Sequence, residues 1–597
     1  MMQTYQNWNI QEVPLSSPFF RNQVESFLRA NSLRMETFDA YYVIRDNSGD
    51  ILSGAGITGD TVKCVAVSDA ARGEGLLVPL LSHLISAAAV RGILNLKVFT
   101  KPAHRSIFES LGFRLLATAP EAILMEKGRG LEQYCAYLRG LRRPGRTGVI
   151  VMNANPFTLG HKYLIEKALE HIDNLFVLPV KEERSLFPYI ERLAMIRAGV
   201  ASMACCGCAS RVIVLEGSEY QISAATFPTY FLKDLSEASE TQMRLDLDLF
   251  ARHIAPALDA SVRFVGSEPS DALTARYNEL MNELLPRVVE IPRLNQASQA
   301  ISASDVRGFL EEGCFSKASA LCPATTHPYL LAALAERALR QELDLPLKPG
   351  LVCPDSAGAH SDMDYAIMLK GIGAIRPYFA HMAVADSPET LRSLGIEAEN
   401  AMLSATGGVN THRGAIFCLG LALNAWMQNA HNEKLIQNRL AEIAQSIFRI
   451  QLNDSDLATT PVALCGARQI AADGYKILFK DWLPYLQSQM GEMALSSAEN
   501  KADAPERATS PIPLQKLLLR IMSTLDDTCV IKRVGLERAQ RVREEAKALL
   551  DAAPSQAGTE WMSHLKDICD RYSAEGISPG GAADMLSLTI FIDSITT

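Results

Sequence analysis

A change of periodicity near His327 constrains this chain more than any other feature of its sequence. Before that point, short runs rich in β-branched and aromatic residues alternate with helical stretches; after it, the pattern is mostly helical and rich in Ala and Leu. In the earlier part, YYVIRD, VKCVAV and LNLKVFT read as strands around a helical stretch from Leu76 to Arg91. The basic, glycine-bearing run RGLRRPGRTG, Arg139 to Gly148, reads as a connector. GVIVMNANP then opens a second region, in which NLFVLPV, RVIVLEG and VRFVG continue the strand and helix alternation expected of a parallel sheet. A chain of 597 residues exceeds what one hydrophobic core serves. The expected fold is therefore multidomain, with an α/β domain over residues 1–140, an α/β domain with a parallel sheet over 146–325, and a mostly α-helical domain over 326–597.

Composition excludes several classes of function. With 48% hydrophobic residues, 21% charged residues and a net charge of -9, the chain reads as ordinary globular protein without the basic footprint that nucleic acid requires. The first residues, MMQTYQNWNIQEVP, carry no secretory pattern, so a cytoplasmic location is expected. The longest apolar stretch, Gly414 to Met427, falls short of the roughly 18 to 20 residues a spanning helix needs and reads as a buried helix, with no membrane partner. Twelve scattered cysteines suggest free thiols, and Cys205, Cys206 and Cys208 lack the second ligand pair of a zinc site. The polar run Ser496 to Pro511 reads as an exposed loop.

Within the first segment, Arg72-Gly73-Glu74-Gly75-Leu76 follows a strand and opens a helix, where backbone amides face an anion. It resembles the pyrophosphate-binding turn of the acetyltransferase superfamily that uses acetyl-CoA, and His104 to Phe113 resembles that family's later helix and strand. Leu77 stands where the family usually has a small residue. The resemblance implies an acetyltransferase-like α/β fold, used either for a CoA-type ligand or for carrier docking and packing; no catalytic base is assigned there.

The second segment carries Asn153-Ala-Asn-Pro-Phe-Thr158-Leu-Gly160-His161 between a strand and a helix. Gly160 lets backbone approach a phosphate, the helix start offers amides, and His161 offers a donor to charge developing at an α-phosphate. This resembles the [HT]xGH motif of the nucleotidylyltransferase superfamily, with Thr158 in the place of its first histidine. Ile301 to Arg307, through Ser302, Ser304 and Arg307, resembles that superfamily's second, pyrophosphate-holding signature. Lys181 to Arg192 and Glu216 to Lys233 look like the body of citrate lyase ligase. The resemblance implies activation of acetate by ATP, with Mg²⁺ bound largely through the nucleotide, and transfer of acetyl to the thiol of the citrate lyase acyl carrier subunit. His161 and Thr158 would be catalytic, and Asn153, Gly160, Ser302, Ser304 and Arg307 would hold ATP. Lys181, Arg184 and Arg192 read as exposed ion-pair partners or as auxiliary phosphate or docking groups.

The third segment carries Lys348-Pro-Gly350-Leu-Val, then His360-Ser-Asp362-Met-Asp364, Glu397-Ala-Glu399, and Thr406-Gly-Gly-Val-Asn410-Thr-His412-Arg413-Gly414. Acidic residues two apart share a Mg²⁺, divide metal and proton duties, or cap a helix. Together the pieces, with Ser578 to Leu586 near the end, resemble the triphosphoribosyl-dephospho-CoA synthase family, although Cys353 stands where an acidic residue is expected. That resemblance implies joining of ATP and dephospho-CoA with loss of adenine. Asp362, Asp364, Glu397 and Glu399 would be the catalytic carboxylates, Asp362 and Asp364 would hold Mg²⁺, and Lys348, His360, Asn410, His412 and Arg413 would bind the nucleotide. Two other readings use the same motifs: a coenzyme A salvage adenylyltransferase joined to a ribosyl transferase or hydrolase, and a regulator that senses ATP or CoA without turnover.

Overall fold

The computed structural model describes residues 8–182, 185–203, 207–222, 227–228, 235–267, 272–296, 299–429, 433–454, 467–499, 510–553 and 559–596. The chain divides into two compact units, Met1–Ile301 and Ser302–Thr597.

The first unit contains two sheets. Strands β1 (Ile10–Glu12), β2 (Ala40–Arg45), β3 (Ile51–Thr58), β4 (Thr61–Val67), β5 (Leu96–Thr100), β6 (Arg114–Thr118) and β7 (Ile123–Lys127) form the first, in the order β1-β2-β3-β4-β5-β7-β6. All neighbours are antiparallel except β4 and β5, which register only at Thr61–Lys97 and Val62–Val98. Beyond those pairs a cavity of about 780 Å³ opens, lined by Val65, Val67, Gly73, Phe99, Lys101 and His104 among others. The helix Leu77–Val90 packs with Leu80, Leu81, Leu84 and Ala88 inward, the i, i+4 spacing of one helical face. This is the α/β region expected over residues 1–140.

The second sheet is wholly parallel: β8 (Thr147–Met152), β9 (Asn174–Pro179), β10 (Val212–Val214), β11 (Ala260–Gly266) and β12 (Val288–Ile291), in the order β10-β9-β8-β11-β12. Every residue of β9 is buried, as expected of a parallel strand covered on both faces. The order in which strands are added reverses at β8 and β11, which stay parallel, so the crevice beyond their carboxyl ends is the natural ligand position of such a fold. The connector shrinks to residues 141–146, because the helix Gly130–Gly140 precedes it and β8 begins at Thr147. One apolar core runs through both regions, with Val43, Phe99 and Leu124 in the same cluster as Leu138, Val149, Phe176, Leu249 and Leu280. Polar ties cross the same boundary: Tyr220 Oη donates to Glu126 at 2.6 Å, and Thr118 N donates to Asp248 at 2.7 Å.

The second unit is built from helices, with no strand among its described residues. His327–Asp344, Arg413–Asn429 and Ile512–Thr524 pack on Gly580–Thr596, which is buried almost all round, and Tyr365–Ala383 packs on the first two of these helices. The apolar run expected to form a buried helix does so, with Ala415 through Trp426 largely inside. No described helix is long and apolar enough to cross a membrane. Of the expected loop Ser496–Pro511, the first four residues continue the helix Leu483–Glu499, and 500–509 lie outside the described residues, as do Arg184, Cys205 and Cys206.

Candidate functional sites

In the first unit, the loop after β8 leads into the helix Leu159–Ala168, whose N-cap is Thr158. The cap is reciprocal: His161 N donates to Thr158 Oγ1 at 3.4 Å, and Thr158 N donates to His161 Nδ1 at 3.0 Å. A backbone N–H only donates, so Nδ1 is an acceptor and the neutral imidazole carries its proton on Nε2. Burial, aided by the charge of Arg293, pushes the His161 pKa down to about 4. Phe157 stacks on the ring at 5.7 Å. The result is a neutral N–H donor at the start of a helix, beside the point where the strand order reverses. Arg293 was not singled out in the sequence; it follows β12, and only the sheet reveals its nearness to His161.

Arg192 departs from its expected exposure. It is fully buried; its guanidinium donates to Asn153 O and Oδ1 at 2.8 Å each, to Val180 O at 2.9 Å, to Phe187 O at 3.1 Å and to Glu182 O. A charge taken from water must be satisfied by surrounding acceptors, and here carbonyls of the loops after β8 and β9 supply them. Arg192 thus fixes Asn153 and is not available to a phosphate. An added Cβ at Gly160 would meet Thr158 Oγ1 at 3.4 Å and Ile301 O at 3.6 Å, ordinary contacts. Ser302, Ser304 and Arg307 fall in the second unit, where Ser302 Oγ caps the helix Ala303–Glu312 by accepting from Ser304 N at 3.1 Å.

The second unit gathers four of the motifs. Lys348 is buried, with Nζ donating to Glu342 Oε1 and Glu342 O at 2.6 Å each. Gly350 has φ 68°, and a Cβ there would sit 1.9 Å from Ile577 O, so this position admits only glycine and holds the Lys348 loop against the start of the Ser578 turn. His360 Nε2 lies 2.8 Å from Ser578 Oγ. His412 is buried, with Nδ1 2.8 Å from Thr411 Oγ1 and no hydrogen-bond partner at Nε2 among the described residues; burial and Lys348 push its pKa down to about 3. Asp584 is held well above the usual carboxylate range by burial and by the neighbouring carboxyls of Asp527 and Glu342. Asp527 accepts from Cys529 N and Ala582 N at 2.8 and 2.9 Å, tying two helix starts together.

The acidic residues divide differently. Arg413 pairs with Glu399, Ser393 Oγ donates to Glu397 at 3.4 Å, and Asn410 Oδ1 accepts from Arg413 N at 3.2 Å. Asp364 is the N-cap of Tyr365–Ala383, its Oδ1 accepting from Ile367 N at 2.8 Å, while the Asp362 side chain is 65% exposed. No group of three or more His, Cys, Asp or Glu among the described residues is arranged to hold a metal. The Asp362 and Asp364 pair fits an ion that arrives with a nucleotide and keeps several waters, rather than a closed protein cage. Glu342, Asp527 and Asp584 were not singled out in the sequence, because the approach of the first two to Asp584 joins positions far apart in the chain.

Comparisons with known proteins divide the chain near residue 328, some way beyond the boundary between the two compact units. The family model of the citrate lyase ligase C-terminal domain matches residues 147–330, and that of ATP:dephospho-CoA triphosphoribosyl transferase matches residues 328–597. The [citrate [pro-3S]-lyase] ligase of Haemophilus influenzae is 39% identical over 321 residues, which are 51% of this chain and 94% of that protein. Its counterpart in Escherichia coli K12 is 38% identical over 320 residues, 52% of this chain and 89% of that one. A probable 2-(5''-triphosphoribosyl)-3'-dephosphocoenzyme-A synthase of Stutzerimonas stutzeri is 36% identical over 282 residues, 45% of this chain and 91% of that one. With most of the length of each ligase matched by its first half and most of the synthase by its second, this chain is an enzyme that belongs to both the citrate lyase ligase family and the triphosphoribosyl-dephospho-CoA synthase family, a ligase and a transferase in one polypeptide.

Proposed function

We propose that this chain matures citrate lyase in the cytoplasm through two reactions, with a nucleotidylyltransferase-like ligase domain over residues 146–325 behind an acetyltransferase-like domain over 1–140, and a synthase domain over 326–597. In the ligase reaction an acetate oxygen attacks the α-phosphorus of ATP and pyrophosphate leaves. The thiol of the lyase's acyl carrier subunit then attacks the carbonyl of acetyl-adenylate, expelling AMP. The observation that carries this reading is the Nε2–H form of His161 at the switch point of a parallel sheet, a donor for the charge that grows on the α-phosphate. Thr158 holds that ring in place, and Asn153, Gly160, Ser302, Ser304 and Arg307 bind the nucleotide. Because His161 is neutral, it stabilises charge without giving up its proton.

In the synthase reaction a ribose hydroxyl of dephospho-CoA forms a bond to the anomeric carbon of ATP, the bond to adenine breaks, and the hydroxyl proton passes to a carboxylate or to the departing base. Asp362, Asp364, Glu397 and Glu399 are the carboxylates offered for this step, and Lys348, His360, Asn410, His412 and Arg413 shape the nucleotide site. Asp362 and Asp364 would hold Mg²⁺, whose charge offsets that of the triphosphate. The convergence of Lys348, His360, His412 and Asp584 supports a single transferase site.

Mass analysis after incubation with ATP, Mg²⁺, acetate, dephospho-CoA and reduced holo-carrier tests both halves. Acetyl-carrier with AMP, and triphosphoribosyl-dephospho-CoA with adenine, are expected. Acetate-independent transfer of AMP to a phosphopantetheine would replace the ligase reading with coenzyme A salvage, and nucleotide binding with no product would leave a sensor.

A further inference from the structure

His360 lies among three groups, two of them brought from distant parts of the second unit. Its Nε2 is 2.8 Å from Ser578 Oγ, Arg533 Nη2 is 3.3 Å from its Nδ1, and Asp362 Oδ1 is 3.8 Å from the same Nδ1. By spacing alone, serine, histidine and aspartate in that order imitate an activated hydroxyl, in which Nδ1–H faces the carboxylate and Nε2 takes the serine proton. The guanidinium decides against that form. Arginine has only N–H donors, so Nδ1 must accept, and a neutral ring then carries its proton on Nε2. That N–H donates to Ser578 Oγ and leaves the serine's own proton directed elsewhere. Arg533 Nη1 also donates to Ala359 O at 3.4 Å, so its fork holds both the carbonyl before His360 and the ring itself. Asp362 is the farther of the two charges, and with 65% of its side chain in solvent it is the more screened. Ser578 is 3% exposed, so its hydroxyl is fixed within the turn that opens the central helix rather than free in solvent.

We propose that Arg533 is a positioning residue of the transferase site, acting through the Nε2–H form of His360 to aim the Ser578 hydroxyl as a donor toward the substrate. The site's activity rests on the transferase reading above; the ring's protonation pattern does not.

The test uses the full chain labelled with ¹⁵N-histidine, with the His360 resonances identified by their loss in His360→Gln. Long-range ¹H–¹⁵N spectra report which ring nitrogen bears the proton. The expected result is Nε2–H in the parent and in Arg533→Lys, which keeps a donor, and Nδ1–H in Arg533→Glu, which supplies an acceptor. Adenine release from ATP and dephospho-CoA should fall about a hundredfold in Arg533→Glu and less than about tenfold in Arg533→Lys, the range seen when a supporting hydrogen bond is removed or kept. Cooperative melting near the parent temperature shows that each variant is folded. An Nδ1–H parent overturns the proposal. Lost activity in Arg533→Glu with the ring unchanged also overturns it, by making Arg533 a direct substrate contact. A parent chain that releases no adenine sinks the transferase reading, while the spectra still decide the ring.

Discussion

The carboxyl of Asp584 occupies the space that a side chain at Gly414 would need, since an added Cβ there would lie 1.8 Å from Asp584 Oδ2. The two residues are far apart in sequence, yet their contact joins the start of the helix that follows His412 to the helix that closes the second unit. Replacing Gly414 with Ala should force Asp584 aside. The cost expected for overpacking is about 1 to 3 kcal/mol, with adenine release lost and acetate-dependent AMP formation retained. Calorimetry and the two product assays measure this, and Gly414→Ala combined with Asp584→Ala should recover part of the stability if the clash is the cause.

Ligase activity should lack an acid limb at the ordinary histidine pKa. His161 is held at about 4, so it stays the Nε2–H donor as pH falls from 8 to 5 and becomes charged only near 4. Protonation would place a second N–H against Thr158 N. The matching stability contribution is complete above the unfolded pKa and declines as pH drops toward 4, because the unfolded chain protonates first. His161→Ala should lower carrier acetylation about a hundredfold at pH 7. A profile of kcat/KM for ATP against pH checks the first point, and an inflection near 6.5 that vanishes in His161→Ala would contradict it.

Arg192→Met should unfold the ligase half rather than weaken its affinity for ATP. The substitution keeps length but strands the carbonyls of Asn153, Val180, Glu182 and Phe187, for a loss of about 3 kcal/mol or more. Urea denaturation gives the answer. A stable Arg192→Met chain with only a raised KM for ATP would return Arg192 to the phosphate-binding role.

Asp364 is a helix cap by its hydrogen bond to Ile367, whatever else it does. Asn caps as well as Asp, so Asp364→Asn should melt with the parent, whereas Asp364→Ala should lose about 0.5 to 2 kcal/mol. If the carboxylate also serves Mg²⁺ or a proton, Asp364→Asn will suppress adenine release across a Mg²⁺ titration despite normal melting. Unchanged turnover in Asp364→Asn would leave the cap as its whole role.

The parallel core of the ligase was legible in its residues because β8 and β9 are continuous apolar runs, a pattern that burial on both faces imposes. The buried helix Arg413–Asn429 was legible for the same reason. β12 was not, since VVEI is too short to announce itself and becomes a strand by pairing Val288 with Arg263 of β11. β3 was not singled out either; it carries Gly54 and Gly56, over which the rings of Tyr41 and Phe38 lie. At the sites, motifs marked Thr158, His161 and His360, whereas the partners that set their chemistry were invisible. Arg533 is 173 residues from His360, and Arg192 looked like a surface charge because its acceptors are backbone carbonyls that only the folded loops bring together.

The apolar cluster shared by the two sheets of the first unit bears on how such a chain can be taken apart. Residues 141–146 resemble a hinge in length and composition, yet cutting there would open Leu138, Val149 and Phe176 to water on both sides of the break. Neither fragment would inherit a complete interior, so each would be expected to aggregate when expressed alone. A deletion that removed the first sheet in order to isolate the ligase would therefore discard half of the ligase's own scaffold, and the two regions would have to be transplanted as a single piece.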